Sequence, residues 1–106
     1  MSEQRECERL DWTSLEVHNE FAGDALLVIE GETRVPMRVE LHSLPIGIAP
    51  EDYQGIELCG FRNGDANSQV MTPFKVEEHL SKLPAGRIGI VVIGATMREY
   101  IPPKES

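Results

Sequence analysis

Residues 25–41 constrain the fold more than any other part of the chain. Ala25-Leu26-Leu27-Val28-Ile29-Glu30 is a compact apolar run, and Gly31-Glu32-Thr33 follows it as a turn. Val35, Met37, Val39 and Leu41 then alternate with Pro36, Arg38, Glu40 and His42. A two-residue period is that of a strand with one face buried. Two such runs around a short glycine-containing connection predict a β-hairpin. Pro36 has no N–H to give to a ladder, so it marks a strand start, a bulge or an edge.

The remaining segments extend this pattern. Leu15 and Val17 alternate with polar neighbours, and residues 54–61 carry Ile56 and Leu58 on one side; both read as strands. Asn63-Gly64 supplies the positive φ that a tight turn needs, and residues 68–71 return as a short strand. Thr72-Pro73 resembles a helix cap, and Val76, Leu80 and Leu83 fall at helical spacing, which predicts one helix near residues 73–83. In residues 87–97, Ile88, Ile90 and Val92 would lie on one face of a strand and Val91 and Ile93 on the other. Apolar residues on both faces imply a central strand, a strand under the helix, or a subunit interface. Residues 96–101 form a last edge strand, stopped by Pro102-Pro103.

The expected fold is mainly β (α+β). It is a compact antiparallel sheet of about six or seven short strands, barrel- or sandwich-like, with one helix. Residues 1–11 read as a polar tail or a short helix, and residues 12–103 as a single β-rich domain.

Charge narrows the function classes. The chain has 106 residues and a formal net charge of −8. Residues 1–53 hold 12 acids and 4 bases, whereas residues 54–106 hold 6 of each. Such a surface repels phosphate backbones and suits a basic protein partner, so nucleic acid is excluded as a direct ligand. The longest apolar stretch is far short of the ~20 residues a bilayer span needs, so no membrane partner is expected. The polar N-terminus has no apolar leader core, and the expected location is cytoplasmic.

Motifs for chemistry are missing. Cys7 and Cys59 stand alone rather than in CxxC or Cys/His spacing, do not make a disulfide framework, and Cys59 reads as a small buried hydrophobe. His18, His42 and His79 lack the local pairing of zinc sites, and no GxSxG or phosphate-cradling loop occurs. No catalytic residue, metal or cofactor is therefore assigned. The polar face of the alternating strand, with the proline-broken loop 45–53, offers Arg38, Glu40, His42 and Tyr53 as candidate ligand-binding residues. Ile88, Ile90, Val91, Val92 and Ile93 are the candidate interface of a homo-oligomer.

The expected function is accordingly a small, non-enzymatic binding or regulatory module that self-associates. The alternatives are an acidic decoy or inhibitor for a basic partner protein, and a small-molecule-binding barrel or modest enzyme with its mouth near Arg38, Glu40, His42 and Tyr53.

Overall fold

The computed structural model describes residues 7–19, 25–45, 52–62, 70–84 and 89–101. Eight strands occur among them: β1 (Glu8–Arg9), β2 (Ser14–Asn19), β3 (Ala25–Thr33), β4 (Met37–Ser43), β5 (Tyr53–Arg62), β6 (Thr72–His79), β7 (Gly89–Ile93) and β8 (Arg98–Ile101). They form two sheets packed as a sandwich rather than a closed barrel. One sheet has the order β2-β3-β6, and the other runs β1-β5-β7-β8 with β4 also on β5.

The long strand β5 organises the larger sheet. On one edge it pairs with β4 from Ile56 to Arg62. On its other edge it pairs with β7 from Tyr53 to Glu57, then with β1 at Cys59 and Gly60. The β5–β7 pair is parallel, unlike the others. Parallel neighbours need a crossover connection. Here the chain leaves β5, contributes β6 to the smaller sheet and returns as β7.

The core lies between the sheets. Leu27 and Ile29 of β3 meet Ile56 and Leu58 of β5 and Ile90 and Val92 of β7. Removing such an aliphatic side chain from water contributes about 1.5–3 kcal/mol. Trp12 joins them from the segment that steps between the layers: Leu10 N donates to Leu58 O in one sheet, and Thr13 N donates to Glu30 O in the other.

Two expectations are corrected. The runs before and after Gly31 do not form a hairpin with each other. β3 continues through Gly31 to Thr33, and residues 34–36 carry the chain across to the other sheet, where β4 pairs with β5. Pro36 directly precedes β4, as a strand-start proline should. No helix forms over residues 73–83. Residues 72–79 pair with β3 along their whole length, and only Leu80–Lys82 makes a 3-10 turn. Phe74 and Val76 follow the strand's two-residue period onto the core face, and Pro73 is tolerated because β6 is an edge strand.

In β7, Ile90, Val91, Val92 and Ile93 are between 0% and 4% exposed. Ile90 and Val92 point into the core, while Val91 and Ile93 pack with Tyr53, Leu44 and Tyr100 on the opposite side. Ile88 lies outside the described residues, as do the Asn63-Gly64 turn and most of loop 45–53.

Candidate functional site

The outer face of the larger sheet collects most of the polar side chains singled out from the sequence. Alternation along β4 directs Arg38, Glu40 and His42 to this face, and register sets them opposite Phe61, Cys59 and Glu57. The Arg38 guanidinium pairs with Glu40, and its Cζ lies 5.1 Å from the centre of the Phe61 ring. His42 Nε2 is 2.8 Å from Glu40 Oε1, and the His42 ring lies 5.4 Å from that of Phe61. Hydrogen bonds from His42 first and Arg38 second hold the Glu40 carboxyl below its ordinary value. Glu40 thus serves both neighbours at once, over an aromatic floor.

Tyr53 does not join this group. It stands at the start of β5 and packs edge-to-face on Tyr100, with ring centres 4.9 Å apart. Three of the four candidate ligand-binding residues therefore form one polar unit, and the fourth, Tyr53, stands apart against Tyr100.

Beside the polar unit lies a feature that sequence reasoning missed. Cys7 and Cys59 form a disulfide between residues 52 apart. Cys59 is buried, as expected, but as half of a crosslink. β1 brings the partner: Arg9 pairs with Cys59 in the ladder, which carries Cys7 to the same edge of β5. Arg9 Nε donates to Glu57 Oε2 at 2.9 Å, and Arg62 Nε to Glu8 Oε1 at 2.8 Å, so two ion pairs flank the bond. Ligand-type atoms of Cys7, Glu57 and Cys59 all lie within 4.8 Å of one another. No spacing rule reveals this group, because its members meet only across two strands.

At the end of β7, Asp11 clamps the turn into β8. Thr96 N and Thr96 Oγ1 donate to its two carboxylate oxygens at 2.8 and 2.5 Å, and Gly94 N donates to Met97 O at 2.8 Å. The Thr96 hydroxyl is the main cause that lowers the Asp11 pKa, followed by the Thr96 backbone N–H. An open depression of about 290 Å³ borders this turn, lined by Arg9, Ile93, Gly94, Thr96, Met97 and Arg98 among others.

The smaller sheet presents a different surface. Register aligns Glu16, Val28 and Glu77 in one row, Ser14, Glu30 and Lys75 in the next, and Glu32 beyond them. Glu16, Glu30, Glu32, Lys75 and Glu77 are all exposed, so four carboxylates share this face with one lysine. Lys75 Nζ lies 3.5 Å from Glu77, and His18 Nε2 lies 2.9 Å from Glu16. Among the described residues, no helix is long and apolar enough to cross a membrane.

No protein-family model, no curated protein and no solved structure matches this chain.

Proposed function

We propose that this chain is a non-enzymatic binding module that engages a basic protein surface through the outer face of the β2-β3-β6 sheet. One observation carries the reading: Glu16, Glu30, Glu32 and Glu77 are exposed together on one sheet face. On the larger sheet the carboxylates of Glu40 and Glu57 are each matched by an arginine, in the Arg38–Glu40–His42 unit and the Arg9–Glu57 pair, whereas the acidic face sets four carboxylates against one lysine. Carboxylates held on a rigid sheet steer a cationic partner and reject an anionic one. The Cys7–Cys59 bond favours an oxidising compartment over the cytoplasmic one expected from the N-terminus.

The test is a fluorescence-anisotropy titration of a labelled lysine-rich peptide at low salt. Glu30→Gln/Glu77→Gln should weaken binding by about tenfold. Glu8→Gln/Glu99→Gln, which removes the same charge from exposed positions elsewhere, should change it far less. Equal losses in both variants would mean that net charge, not this face, governs binding.

Self-association is the second reading, favoured by Val70 and Met71, 58% and 55% exposed immediately before the edge strand β6. Light scattering across a concentration series tests it, and a monomer throughout removes it.

A further inference from the structure

We propose that, once a dithiol reductant opens the Cys7–Cys59 bond, the two sulfurs and the Glu57 carboxylate form a binding site for a zinc ion.

The starting point is geometric. Cys59 and Glu57 are two apart on β5 and share its outer face, while β1 delivers Cys7 from the adjacent edge. The ligand atoms of all three lie within 4.8 Å of one another. A tetrahedral zinc ion with Zn–S bonds of ~2.3 Å needs its ligands roughly 3.8 Å apart. Opening the disulfide drives the sulfurs from bonding to non-bonded separation, toward that spacing. Cys7 lies outside β1, so it can adjust without breaking a ladder pair.

The chemistry of the donors points to the metal. Two thiolates and one carboxylate suit a borderline-soft divalent ion and not calcium or magnesium, which take all-oxygen shells. Arg9 holds Glu57 through Oε2, the kind of outer contact that orients a ligating carboxylate. Glu40 faces Cys59 across the β4–β5 pair but is committed to Arg38 and His42, so the fourth position falls to water.

The steps balance. The reductant passes two electrons and two protons to the disulfide and becomes a disulfide itself, leaving two protein thiols. Zinc then binds the sulfurs as thiolates and displaces both protons to solvent. The same residues therefore form a covalent crosslink under oxidising conditions and a metal crosslink under reducing ones.

The experiment titrates zinc into the 106-residue chain, oxidised or reduced by a phosphine, which takes an oxygen from water and leaves as its oxide, in competition with a chromophoric chelator. Thermal unfolding is followed in parallel. The reduced chain should take one zinc per molecule and unfold at a higher temperature with zinc than without. The oxidised chain should bind at least about 100-fold more weakly, and reduced Glu57→Gln or Cys7→Ser about tenfold more weakly or worse. Cobalt in place of zinc should show a thiolate charge-transfer band. If reduction unfolds the chain, zinc should restore its strand spectrum. The assignment fails if the reduced chain binds no zinc, if Glu57→Gln binds as tightly as wild type, or if zinc binds without stabilising the fold.

Discussion

Reducing the Cys7–Cys59 disulfide in the presence of a chelator removes a covalent link between residues 52 apart. The loop-closure relation puts the entropy restored to the unfolded chain at about 4 kcal/mol at 25 °C for a loop of that size. Little else holds the N-terminal end of that loop. β1 contributes two ladder positions, and of its two ion pairs Arg62–Glu8 is solvent-exposed and weak while Arg9–Glu57 is only partly shielded. A domain of this size has only about 5–15 kcal/mol of stability, so the loss is a large fraction of the whole. With a urea slope of about 1–3 kcal/mol/M, the unfolding midpoint should drop by about 1.3–4 M. The assay is urea unfolding followed by circular dichroism, with and without a phosphine reductant. Cys7→Ser is the control, because it leaves Cys59 as a buried thiol and opens no core cavity. The variant should match reduced wild type and ignore the reductant. A difference below about 1 kcal/mol would refute the reasoning, since it would mean that closing this loop does not constrain the unfolded chain.

Gly94→Ala should destabilise the fold by about 1–3 kcal/mol, the usual cost of overpacking. Its Cβ would stand 2.7 Å from both Leu10 O and Asp11 Oδ1 and 2.9 Å from Trp12, and a backbone oxygen cannot swing aside. Calorimetry should show a lower Tm, and an unchanged one would contradict the packing at that turn. Asp11 adds a pH dependence: its pKa is lower folded than unfolded, because Thr96 donates to the carboxylate. Its contribution is thus present above the unfolded pKa and lost as pH falls through the folded one. Carboxyl NMR titration should find Asp11 below its ordinary value, and Thr96→Val should move it back up.

The alternation of residues 37–42 determined, from sequence alone, which side chains of β4 face the core and which face outward. Arg38, Glu40 and His42 do share a face because the strand period is two. Their floor was not legible, since Phe61 is 19 residues or more away and meets them only through the β4–β5 register. The apolar runs at 25–30 and 88–93 likewise announced buried strands, but a run buried on both faces does not say what buries it. That β7 is covered within the chain rests on Tyr53, Leu44 and Tyr100, which come from three separate segments.

Tertiary structure decided the rest wherever two local solutions were close in free energy. Val76, Leu80 and Leu83 fit a helical stripe while Phe74 and Val76 fit a strand face, and the eight-residue pairing of 72–79 with β3 chose the strand. Gly31 fits a turn as readily as a strand. The ladder with β6 holds it in the strand, and there the missing Cβ leaves room for the Phe74 ring on the neighbouring strand. Sequence specified two cysteines 52 apart; only the docking of β1 against β5 made them one bond, because proximity between distant residues is a property of the folded chain.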